Sequence, residues 1–168
     1  GLADAPDAET DGQPTPGADG DNLNGSNDEN GVVFTSQLIP GQPATVTVTA
    51  SAACFLDAWV DFGADSSWAE AGDQIFVSQA LVAGANNLNF IVPATAVSGA
   101  STYARFRCSS YGGLSYTGTA TDGEVEDYKL YIDQEPQEPT KYIQEPDLSL
   151  TGMDVCASDT APCLLADD

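Results

Sequence analysis

Histidine is absent from the 168 residues, and only four basic side chains stand against 26 acidic ones. Without imidazole the chain lacks the commonest general acid–base group and the commonest ligand of transition metals. The first basic residue is Arg105, so residues 1–104 carry no cation. A formal net charge of −22 repels nucleic acid and anionic membrane surfaces and attracts divalent cations. No uninterrupted apolar run approaches the ~20 residues of a membrane-spanning helix, and no stretch has the 3.6-residue periodicity of an amphipathic helix. The chain opens on Gly1 with no secretory signal, as a mature or excised fragment would.

Apolar residues make up 42% of the chain and fall into alternating runs, which favours a packed body over acidic disorder. Val32–Phe34 reads as a first strand. Residues 44–50, A-T-V-T-V-T-A, alternate cleanly with Val46 and Val48 inward. In the next strand Leu56, Ala58, Val60 and Phe62 share the inward parity, leaving Phe55, Asp57, Trp59 and Asp61 on the other side. Residues 75–82 form a strand with a break near Gln79, and residues 83–86 read as a turn. Leu88, Phe90 and Val92 alternate before Pro93; Tyr103 to Cys108 follows, with Arg105 and Arg107 on one face. Seven to nine short strands separated by turns predict an all-β, antiparallel β-sandwich of Greek-key or jelly-roll type with long acidic loops.

The stretch that organises the chain is Thr121 to Ile132, T-D-G-E-V-E-D-Y-K-L-Y-I. Asp122, Glu124, Glu126 and Asp127 crowd together just before an apolar strand. Glu124 and Glu126 share the parity of Tyr128, Leu130 and Ile132, so a regular strand aims both acids at the core, where an unpaired charge is costly. A metal, an arginine or a bulge has to resolve the conflict. Arg105 and Arg107 are expected to supply a structural ion pair with Glu124, Glu126 or Asp57. Oxygen-rich segments elsewhere suggest calcium as a structural cofactor. They are Asp7, Glu9 and Asp11; Asp19, Asp21 and Asn22; Asp28 and Glu29; and Asp61, Asp65 and Asp73, to which Asp122, Glu124, Glu126 and Asp127 are added. The 61–73 stretch is no EF-hand, since the twelfth position is Gly72.

Four cysteines allow three pairings. Cys54 opens one expected strand and Cys108 closes another, while Cys156 and Cys163 are close in sequence, so the pairs Cys54–Cys108 and Cys156–Cys163 are expected. Free buried thiols are the alternative; a zinc site would want close-spaced cysteine pairs. Disulfides imply an oxidising compartment. By domain, residues 1–31 form an acidic loop segment belonging to the sandwich, 32–132 the sandwich, 133–147 a stiff Pro/Glu linker, and 148–168 a strand-like tail or the start of another domain. The tail is expected to dock on the sandwich, to lead into another domain or to add a strand to a neighbouring copy.

Ordered matches accumulate along the chain: D-A-E-T-D-G-Q-P at 7–14, N-D-E-N-G-V-V-F at 27–34, A-W-V-D-F at 58–62, A-G-D-Q-I-F at 71–76, T-Y-A-R-F-R at 102–107, and Gly123-Glu124-Val125-Glu126-Asp127. Together they resemble the GEVED domain, from about Leu2 to Ile132. The resemblance implies a non-catalytic sandwich of secreted or surface-attached bacterial proteins, found beside adhesion and repeat modules, with calcium sites in its acidic loops. The family's D-F-N-G-D-G-D stands here as Asp61-Phe62-Gly63-Ala64-Asp65-Ser66-Ser67, two potential ligands short.

Three function classes are thus weighed. A structural or adhesive extracellular module, assembled into a stalk or filament with neighbouring modules or copies of itself, agrees with charge, cysteines and resemblance. A carbohydrate-binding module could use Trp59, Trp68, Tyr111 and Tyr116 as an aromatic platform for a polysaccharide. An enzyme would have to rely on carboxylates alone.

Overall fold

The computed structural model describes residues 31–135. Seven strands are present: β1 (Val32–Phe34), β2 (Pro43–Ala50), β3 (Cys54–Val60), β4 (Gln74–Leu81), β5 (Gly84–Ile91), β6 (Ala100–Ser109) and β7 (Glu124–Ile132). They form two antiparallel sheets, β1-β2-β5 and β4-β3-β6-β7, so the expected sandwich is the observed fold. The chain changes sheets between β2 and β3, again at the β4–β5 turn, and once more before β6, which returns beside β3. That is a Greek-key style of crossing. The acidic segment before Gly31, most of the linker, the expected strand at 148–155 and the pair Cys156–Cys163 lie outside the described residues.

Alternation decides which side chains meet between the sheets. Val46 and Val48 from β2 face Leu56, Ala58 and Val60 from β3 and Ala104 and Phe106 from β6, all buried. Phe34, Phe62, Phe76, Phe90 and Phe106 add edge-on and tilted ring contacts with centroids 5.9–6.5 Å apart. Cys54 and Cys108 are disulfide-bonded, with Cα atoms 6.0 Å apart and a sequence separation of 54. Closing a loop of that length contributes about 4 kcal/mol in the chain-entropy picture.

Two boundaries differ from the sequence reading. Asn86, placed in a turn by composition, lies within β5. Its side-chain amide donates to the Val82 and Gly84 carbonyls, both at 2.8 Å, while its oxygen accepts the Val82 N–H at 3.0 Å. The residue clamps the turn between the two sheets from inside the strand, which leaves Val82 and Ala83 to make the crossing. The break expected near Gln79 falls one residue earlier. The β3–β4 register shifts between Leu56 and Ala58, and Ser78 takes a φ of 44°, a bulge that bends the edge strand.

Candidate functional site

On the outer face of the four-stranded sheet, the polar parity of β3, β6 and β7 is roofed by two loops, 61–73 and 110–123. Register sets the partners there. Arg105 lies opposite Asp127, and Arg107 opposite Val125. The Arg105 guanidinium donates to both Asp127 oxygens, Nε to Oδ1 at 2.7 Å and Nη2 to Oδ2 at 2.5 Å. Its remaining nitrogen donates to the Tyr116 carbonyl at 3.0 Å, and its carbon lies 4.9 Å from the Trp68 ring centroid. Arg107 donates to three loop carbonyls: Ser115 at 2.5 Å, Thr117 at 3.1 Å and Gly118 at 2.7 Å. Asp57 supplies the matching acceptors, taking the N–H of Ser78 at 2.8 Å and of Leu114 at 3.0 Å. Three buried charged residues thus stitch the 110–123 loop to the sheet, and the loop needs no regular structure to hold its shape.

The ion pair expected at Glu126 is therefore formed at Asp127. The reason is parity: Glu126 pairs in register with Phe106, on the core face, whereas both arginines point outward. The core-facing acids are buried, as expected. Glu126 Oε2 accepts the Gly31 N–H at 3.1 Å and the Tyr128 hydroxyl, and the Tyr128 oxygen in turn accepts the Val32 N–H at 3.0 Å. The acid is spent on fastening the start of β1. No bulge relieves it, since the β6–β7 register is unbroken from Ala100–Ile132 to Cys108–Glu124.

Gly123 enters β7 at a φ of +109°, and a Cβ there would come 1.9 Å from the Cys108 carbonyl oxygen. The motif's glycine is thus fixed by sterics. Beside it, exposed Asp122 accepts the Ser110 N–H at 3.0 Å, which holds its carboxyl below the usual range.

In the 61–73 loop, Asp61 accepts the N–H of Asp65 at 3.3 Å and of Ser66 at 2.8 Å, Asp65 accepts from Ser67 at 3.0 Å, and Asp73 Oδ1 accepts from Phe62 at 3.2 Å. Most of the carboxylate oxygens that would ligate an ion are turned onto the loop's own backbone. Among the described residues no group of three or more acidic or cysteine side chains is placed to hold a metal, and Asp61, Asp65 and Asp73 are not gathered into such a group. The other candidate segments, Asp7 to Glu29, lie outside the described residues.

Ala64 and Ser66 nonetheless have φ values of 51° and 70°. These are the two positions where the resemblance places glycine, and the loop keeps a left-handed backbone with side chains that disfavour it. Ala64→Gly and Ser66→Gly are each expected to raise stability by about 0.5–1 kcal/mol, read as a higher urea midpoint at unchanged slope. Lower midpoints would show that the loop's conformation carries no strain.

Asp73 is only 3% exposed, and its Oδ2 is buried with no hydrogen-bond partner among the described residues. Burial, with Glu70 and Asp61 close by, pushes its carboxyl up to about 6. A raised folded-state value means that this group's contribution is fully present below about pH 4 and is lost as pH rises through 6. In chelator, Asp73→Asn should therefore gain about 2–3 kcal/mol relative to the parent between pH 4 and pH 7.5. Parallel stability curves for the two proteins would refute the assignment.

The aromatic platform of the carbohydrate-binding alternative is not assembled. Trp59 and Trp68 are 3% and 5% exposed and pack edge-on against Tyr116, each with centroids 6.2 Å apart. Tyr111 stands apart at 83% exposure. The tryptophans border a cleft of about 320 Å³ with Glu70, Gln74 and Ser115, but Trp68 already carries Arg105 on its face. The sequence reading missed Asp57 as a loop anchor and Trp68 as the lid of an ion pair. Their shared signal was an outward-parity acid and a loop tryptophan close to two arginines.

Comparison with curated proteins and with solved structures found no match. Residues 55–131 match the family model of the GEVED domain, and this block of the sandwich, from β3 to β7 with its roofing loops, is a GEVED domain.

Proposed function

We propose that the sandwich is a non-catalytic structural module of a secreted or surface-attached protein, one unit in a stalk, adhesin or filament. The observation that carries this reading is the employment of its outward charges. Asp57, Arg105, Arg107 and Asp127 are buried beneath loops and bonded to backbone groups or to each other, an arrangement that holds shape rather than presenting groups to a substrate. The disulfide is consistent with an oxidising compartment. Calcium belongs to the proposal only through the overall charge of −22, which draws divalent ions to the acidic segments.

The test is a panel of polysaccharides and glycoside substrates, run beside melting curves with and without reductant and with calcium or chelator. Silence across the panel, a lower Tm on reduction and a higher Tm in calcium are expected. Retention on a polysaccharide, lost on substitution of Tyr116 and Gln74 beside the cleft, would transfer the assignment to a carbohydrate-binding module.

A further inference from the structure

In a chain this acidic, one face of the described sandwich carries no charged side chain of its own strands. Residues 30–56 and 74–104 contain no Asp, Glu, Lys or Arg, and together they supply every strand of the β1-β2-β5 sheet. The outward parity of that sheet presents Val33, Thr45, Thr47, Asn87, Asn89 and Ile91. Register aligns them in rows, Val33 with Thr47 and Asn87, then Thr45 with Asn89. The threonine hydroxyls are in part already paired sideways. The Thr47 hydroxyl donates to Asn87 Oδ1 at 2.8 Å, and the Thr35 and Thr45 hydroxyls share a bond of 2.8 Å. Val33 and Ile91 are 57% and 64% exposed. Such a face loses less when taken out of water than a charged one, because the Thr35, Thr45 and Thr47 hydroxyls keep partners and its apolar groups gain.

From this we propose that the β1-β2-β5 face is the contact between copies of this module, packed sheet against sheet. The occupant follows from charge. Two bodies of −22 repel wherever acids meet acids, so the approach that costs least brings the neutral faces together. Two strands of eight residues and one of three cover at most roughly 26 by 14 Å, well under the ~800 Å² per partner of a stable dimer. The contact is thus weak between free modules and becomes effective when modules are linked or crowded. This inference rests on the structural-module reading and adds the surface through which it acts.

Sedimentation equilibrium of the full chain, up to millimolar concentration at low and high salt, tests it. Self-association that strengthens with salt is expected, since screening removes the repulsion. A variant with Thr47→Glu and Asn87→Glu should associate at least tenfold more weakly, while Lys129→Glu on β7, which changes net charge equally, should behave as the parent does. Thermal unfolding of each variant verifies the fold. A parent that stays monomeric throughout, or a face variant that associates like the parent, overturns the proposal and leaves the non-catalytic reading to its own panel. Binding of a polysaccharide that the face variant abolishes overturns it as well, because the face would then belong to a glycan.

Discussion

Gly123→Ala should cost the sandwich most of its stability. The added methyl would lie 1.9 Å from the Cys108 carbonyl oxygen, roughly half the distance of a normal contact, and the φ of +109° is one that alanine rarely adopts. Neither conflict can relax alone. Moving Gly123 away shifts Glu124, which is paired with Cys108 in register, and moving Cys108 disturbs the strand that carries the disulfide. A loss of at least ~3 kcal/mol is expected, comparable with severe overpacking plus backbone strain. Chemical denaturation of the oxidised protein measures it. A loss below ~1 kcal/mol would mean that β7 enters the sheet by another path.

The second large effect is expected at the buried pair. Asp127→Asn keeps the shape of the side chain while removing the charge that Arg105 faces at 2.5 Å. An uncompensated guanidinium under the loop roof costs about 3–5 kcal/mol. Arg105→Met in the same background should recover a good part of that loss, because two neutral side chains leave no stranded charge. Additive losses in the double variant would show that Arg105 acts through Trp68 and the Tyr116 carbonyl rather than through Asp127. The 110–123 loop should also become protease-sensitive in the single variant, since Arg105 holds it at Tyr116.

What alternation could tell, it told well. The inward sets on β2, β3 and β6, the core-facing parity of Glu124 and Glu126, and the disulfide between Cys54 and Cys108 all follow from period-two patterning and strand position. Partnership across strands was harder to read. Arg105 meets Asp127 and not Glu126 because of a register fixed over 22 positions, and a one-residue slip would have reversed the answer. Trp59 beside two acids reads first as a ring covered by a loop or a neighbouring module, and second as a sugar platform. Only the path of the 110–123 loop, which carries Tyr116 onto it, decides between them. Asn86 was misplaced for a local reason: asparagine signals a turn by composition, whereas here its side chain bonds the turn from within the strand.

The covalent link between β3 and β6 has a mechanical meaning. When tension is applied to the ends of the sandwich, the segment that joins Cys54 to Cys108, a sequence separation of 54, cannot be drawn out. Each withheld residue would otherwise add about 3.3–3.6 Å of contour. A pulled module would therefore yield only its flanking strands, giving a short, stiff safety length instead of a long slack tether, and reduction of the bond would lengthen each rupture step by that locked portion.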